Sequence, residues 1–117
     1  MRHRKKKQKL GSSFHQRKAI LCSLASHIIF KERISTTEGK AKKVRPFLEK
    51  TISRAKENTL SNRRILLQDF TPRVVNKLLK EIGPRYANQP GGYTRIIKTL
   101  ARKSDAAQMV LIELVKK

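Results

Sequence analysis

The stretch Gln108-Met109-Val110-Leu111-Ile112-Glu113-Leu114-Val115 is apolar and rich in β-branched residues, which reads as a strand. Its side chains alternate: Met109, Leu111, Glu113 and Val115 project one way, and Val110, Ile112 and Leu114 the other, so one face is wholly apolar. That face has to be covered. Residues 93–100 form a second β-branched run, and the polar segment between the two runs holds Arg102, Lys103, Ser104 and Asp105, so the runs pair as an antiparallel hairpin. Covering the apolar face with helices gives an α+β fold. It has about four helices packed on a small sheet, made of the C-terminal hairpin plus one short strand, with a basic extended N-terminal arm.

The helices are read outward from that hairpin. Thr71 as N-cap, Pro72 at the first helical position, and Gly83 and Pro84 after the last apolar residue bound a helix whose core face is Val74, Val75, Leu78, Leu79 and Ile82. Residues 60–69 read as a shorter helix, with Ser61 as cap and Ile65, Leu66 and Leu67 inside. Before it, Thr36 or Thr37 caps a helix with the stripe Ala41, Val44, Leu48, Ile52 and Ala55. Pro46 falls inside that stripe, and because the phase holds on both sides a kink is expected rather than a break. Arg33, Ile34, Ser35 and Thr36 form the short extra strand. A first helix, capped by Ser12 or Ser13, runs to about Phe30 with Leu21, Leu24, Ala25 and Ile28 on one face.

Charge bounds the function. The 117 residues carry 29 Lys and Arg against 8 Asp and Glu, a net charge of +21, and a domain so charged calls for a polyanion. Residues 1–11 form a basic arm and residues 12–117 a globular body within a single domain. The arm holds Arg2, His3, Arg4, Lys5, Lys6, Lys7 and Lys9 and has no apolar period, so it orders only against its partner. No stretch approaches the length of a transmembrane helix or has the h-region of a secretory signal. Cys22 is the only cysteine, which excludes an internal disulfide and a thiolate metal site and fits a reducing cytoplasm; in its apolar run it reads as a packed residue. There is no Walker loop, no GxGxxG and no motif joining His3, His15 and His27 to a nucleophile or metal. No catalysis, cofactor, membrane partner or small-molecule substrate is expected.

Within a nucleic-acid reading, aromatic residues at only 5% argue against an RNA-recognition-motif sheet, and no GXXG loop supports a KH domain. Phosphate and shape contacts remain. Candidates are Arg17 and Lys18 on the first helix, Lys40, Lys42 and Lys43 with Arg45, Lys50, Arg54 and Lys56 on the second, and Asn62, Arg63 and Arg64 opening the third. Each of these runs can also be a solvated helix face. The most specific segment spans residues 83–95. Gly91 and Gly92 allow backbone amides to approach a ligand, Arg85 and Arg95 offer phosphate forks, and Tyr86 and Tyr93 can stack on a base or sugar. The alternative is a structural loop with Tyr86 tucked into the core.

These residues together resemble the bacterial-type ribosomal large-subunit protein seventeen family. The resemblance is carried by Met1-Arg2-His3-Arg4-Lys5, Thr36-Thr37 with Lys40-Ala41-Lys42, Asn62-Arg63-Arg64, Gly83-Pro84-Arg85-Tyr86, Gly91-Gly92-Tyr93-Thr94-Arg95 and Ile112-Glu113-Leu114. It implies a structural protein that binds large-subunit rRNA on the solvent side near the polypeptide exit tunnel, beside neighbouring ribosomal proteins, without catalysis. The family-like start at residue 1 implies no presequence and a cytoplasmic ribosome of bacterial type, with an organelle-encoded copy as the alternative. This chain departs from the family pattern at Gln16-Arg17, at Cys22-Ser23, where the family carries an Arg-Asn pair, and at Ser104-Asp105. Against the ribosomal reading stands a sequence-independent DNA-binding or architectural basic protein.

Overall fold

The computed structural model describes residues 13–115; the arm residues Arg2, His3, Arg4, Lys5, Lys6, Lys7 and Lys9, and the cap candidate Ser12, lie outside them. Helix α1 spans Phe14–Lys31 and opens on Ser13, whose hydroxyl accepts the Gln16 N–H at 3.3 Å while the Gln16 side chain accepts the Ser13 N–H. Its buried residues are Ala25, Ile28 and Ile29, so the inward face is turned toward Ile29, and Leu21 and Leu24 are only half-buried. The helix ends at Glu32, which takes a left-handed φ of 64° and donates its N–H to Ile28. After that single residue the chain is strand β1, Arg33–Thr37.

Helix α2, Glu38–Ala55, runs without interruption through Pro46, and all five residues of its predicted stripe are buried. Helix α3, Leu60–Asp69, starts one residue before the Ser61 expected to cap it. Thr59 is the cap, its hydroxyl accepting the Asn62 N–H at 3.1 Å, and Leu66 alone in this helix is buried.

The fourth helical segment corrects the sequence reading at its end. Helix α4, Pro72–Lys77, passes into a π-helical turn, Leu78–Ile82, and then into a closing turn α5, Gly83–Arg85. The Gly83-Pro84 pair therefore lies inside the helix instead of stopping it. Gly83 has an ordinary right-handed conformation; what it supplies is proximity, because a Cβ there would lie 2.3 Å from the Ala55 carbonyl oxygen at the end of α2. The wider π turn sits just ahead of Pro84, where a regular α turn would drive the ring into the carbonyl four residues back.

Strands β2, Thr94–Lys98, and β3, Met109–Leu114, complete an antiparallel sheet in the order β1-β3-β2. Arg33 and Arg95 both stand opposite Glu113, and Ile34 and Ile96 both stand opposite Ile112. Val110, Ile112 and Leu114 are buried, as the alternation predicts, and Ile112 and Leu114 belong to one core with Ile28, Val44, Leu48, Ile52, Val75, Leu78 and Ile82. The helices thus cover one face of the sheet. No helix among the described residues is long and apolar enough to cross a membrane.

Candidate nucleic-acid interface

Three segments singled out in the sequence converge on one groove. A hollow of about 550 Å³ is lined by Glu49, Lys50, Ser53, Arg54 and Glu57 from α2 and its end, Asn62 from α3, and Gly91 and Tyr93 from the loop before β2. Lys50 and Arg54 lie one helical turn apart and both line it, so they put two cations on one wall. Asn62 donates from its amide to the Glu57 carbonyl at 3.0 Å, which fixes it at the mouth of α3. Lys56 turns inward, with Nζ 2.6 Å from the Gln89 carbonyl and 3.0 Å from the Tyr93 hydroxyl.

The loop does not present its aromatic rings as expected. The two amides that follow the glycines are satisfied from within: the Glu49 carboxylate accepts the N–H groups of Tyr93 at 3.1 Å and Thr94 at 3.0 Å, and the Thr94 hydroxyl at 2.7 Å. Gln89 donates its side-chain amide to the carbonyls of Gly91 at 2.8 Å and Gly92 at 2.9 Å, and Gly92 takes a left-handed φ of 66° that suits glycine. Tyr86 and Tyr93 are buried with ring centroids 5.2 Å apart, so neither ring is open for stacking on a base. The core alternative for Tyr86 holds. Its hydroxyl donates to the Val115 carbonyl at 2.6 Å, and burial pushes its pKa up. Burial alone would also raise Tyr93, but the bonds from Lys56 and Ser53 with the Lys56 charge outweigh it and bring that phenol below its usual range. Tyr93 is part of the groove lining, and its hydroxyl is held by Lys56, by Ser53 at 3.2 Å and by the Gln89 carbonyl at 3.3 Å.

The remaining candidates divide by their partners. Arg85 is tied to Glu32 at 2.6 Å, a bond that raises its pKa, so its fork is already engaged. Arg63 donates to the Asn76 side chain at 2.7 Å and braces α3 against α4, leaving Arg64 as the exposed cation of that pair. Lys18 reaches Asp69 at 3.3 Å and Lys42 reaches Glu38 at 3.1 Å; both acids are half-buried, and both lysines remain open to solvent. Lys40 is exposed and Lys43 and Arg17 are half-buried along their helices. Arg95 is exposed on β2 and bonds Glu113 through Nε at 2.8 Å and again through Nη2. Cys22 is half-buried, and burial followed by the nearby Asp69 raises its thiol pKa, in keeping with a packed residue.

Glu49 and Glu113 are the residues that sequence reasoning passed over. In a chain with only 8 acids, each acid has many cations and amides to choose from, so its position is informative. Scarcity was the available signal.

A body of helices on one face of a three-stranded sheet, with cations outnumbering acids more than threefold and two of them walling a groove, defines a small, strongly basic α+β protein. Residues 20–115 match the family model described as Ribosomal protein L17. Over 116 residues the chain is 47% identical to the "Large ribosomal subunit protein bL17" of Gemmatimonas aurantiaca, covering 98% of both chains. The chain belongs to the ribosomal protein L17 family.

Proposed function

We propose that this protein is a structural constituent of the large ribosomal subunit, working in the cytoplasm, and that it binds large-subunit rRNA across the groove between α2, α3 and the loop before β2. Family membership supports the first part, and the structural, non-catalytic character of a ribosomal protein goes with it. The observation that carries the second is the convergence of Lys50, Arg54, Asn62 and Gly91 on one hollow. Phosphates fit the wall formed by Lys50 and Arg54, and Asn62 offers a polar contact to sugar. Lys40, Lys42, Lys43 and Arg64 extend the contact along the helices, and Arg2, His3, Arg4, Lys5, Lys6, Lys7 and Lys9 extend it through the arm. The site near the polypeptide exit tunnel and the neighbouring ribosomal proteins come with the family resemblance and form part of the same proposal.

The test is filter binding of the full chain to transcribed large-subunit rRNA and to duplex DNA across a salt series. Wild type binds the rRNA preferentially, and the double variant Lys50→Gln/Arg54→Gln lowers the log-log salt slope by about 2 while circular dichroism is unchanged. Equal affinity for DNA, or an unaltered slope in the variant, overturns the reading.

A further inference from the structure

The sheet face turned away from the helices carries Arg33, Glu113 and Arg95 in register, one from each strand. Each oxygen of the Glu113 carboxylate serves one arginine. Oε2 accepts from Arg33 Nε at 2.9 Å and lies 2.8 Å from Arg33 Nη2, while Oε1 accepts from Arg95 Nε at 2.8 Å and from its Nη2. The Glu113 side chain is only 7% exposed, whereas those of Arg33 and Arg95 are 62% and 58% exposed. The carboxylate is thus roofed by two guanidiniums, and both arginines hold its pKa below the usual carboxylate range. A guanidinium has five N–H donors, and Glu113 takes the inner edge of each, which leaves the outer edges directed to solvent. The row carries a net charge of +1. On its β1 side Arg33 also borders two hollows of about 300 and 440 Å³, and Lys31 lines both.

We propose that Arg33 and Arg95, locked by Glu113, form a two-guanidinium clamp for the RNA phosphodiester backbone on the open sheet face, with Glu113 as the positioning residue. This rests on the rRNA-binding reading above and adds to it a second contact surface, on the opposite side of the sheet from the core. Planar guanidiniums match phosphate oxygens two at a time, and a long side chain held by its own inner edge loses less freedom when it binds. Two arginines on a flat sheet would otherwise repel each other and fan apart. The buried carboxylate holds them together.

The proposal makes a prediction whose sign opposes simple electrostatics. Glu113→Gln raises the net charge by one, so long-range attraction alone would tighten RNA binding and steepen its salt dependence. Loss of a positioned clamp weakens it instead. With transcribed large-subunit rRNA as probe and the full chain at about 0.1 M salt, Glu113→Gln is expected to bind roughly fivefold more weakly, with a shallower slope. Arg95→Lys keeps the charge but loses the fork, and is expected to bind roughly fivefold more weakly with its fold intact by circular dichroism, which keeps the test decisive should Glu113→Gln unfold. Tighter binding by a folded Glu113→Gln, or wild-type binding by Arg95→Lys, overturns the clamp. So does normal rRNA binding by these variants combined with loss from large subunits in a high-salt wash, which would assign the face to a neighbouring protein. Failure of the wild-type chain itself to bind rRNA would instead overturn the functional reading on which the clamp rests.

Discussion

Gly83 gives the sharpest test of how this body is packed. A methyl group at this position would meet the Ala55 carbonyl oxygen at 2.3 Å, the Ala55 carbonyl carbon at 2.9 Å and the Leu78 carbonyl oxygen at 3.2 Å. All three are backbone atoms, so no side chain can swing aside. The end of α2 and the π turn would have to part by nearly 1 Å, across a contact formed by Ala55, Leu78 and Ile82, which are 0–1% exposed. Overpacking of a rigid core costs about 1–3 kcal/mol, and backbone against backbone belongs at the upper end of that range. Replacing a helical glycine by alanine returns about 1 kcal/mol. The net expectation for Gly83→Ala is a loss of about 2 kcal/mol.

For a body of about 100 residues, that corresponds to a fall in Tm of roughly 8–16 °C. Gly39 supplies the control. It also lies in a helix, in the first turn of α2, but a Cβ there meets nothing within 4 Å. Gly39→Ala is expected to raise stability by about 0.5 kcal/mol through helix propensity alone. Far-ultraviolet circular dichroism melts of the three chains read both shifts. A Gly83→Ala protein that melts at or above the wild-type temperature would refute the close-approach account, whatever Gly39→Ala does.

Two further outcomes follow from the acids. Glu49→Ala strips the acceptor from two buried amides and a hydroxyl of residues that are 1% and 3% exposed, at a cost of about 2–4 kcal/mol, and native-state hydrogen exchange should show the Tyr93 and Thr94 amides losing protection first; unchanged protection there would remove Glu49 as the anchor of the loop. The pH dependence has a definite sign, because Asp105 is held down to about 2 by its bond to Arg102, and Glu38 and Glu113 are also held below 4.5 by Lys42 and by Arg95 with Arg33. Lowered carboxylates stabilise the fold above their ordinary values and lose that contribution as pH falls through the folded ones, so Tm should stay level down to about pH 4.5 and then decline toward pH 2; a Tm that rises on acidification from pH 4.5 to 2 would contradict these pairings.

The elements were legible wherever burial is one-sided. The alternation of Val110, Ile112 and Leu114 placed the sheet face, and the stripe from Ala41 to Ala55 placed α2, because hydrophobic period is a property of the sequence itself. The end of the fourth helix was not legible. Glycine followed by proline signals a stop on propensity alone, and only the carbonyl of Ala55, a residue 28 positions earlier, shows that Gly83 serves contact instead. The site shows the same divide. Lys50, Arg54, Asn62 and Gly91 could be found as cations, a polar residue opening a helix and a loop glycine, but whether a tyrosine stacks on a ligand or on another tyrosine is decided by tertiary packing.

The two overlooked acids explain how a chain with a net charge of +21 can present shaped surfaces at all. Cations that only repel one another would point in every direction, giving affinity for any polyanion and geometry for none. Here a carboxylate is spent at each place where shape is needed. Glu49 closes the loop that forms one wall of the groove, and Glu113 gathers two arginines from opposite edges of the sheet. Each lowers the net charge by one and fixes several donors in return. If the groove and the sheet face bind rRNA as proposed, discrimination between that RNA and any other polyanion depends on the few acids as much as on the many bases, and removing either acid should raise nonspecific binding to DNA even as it weakens binding to the rRNA.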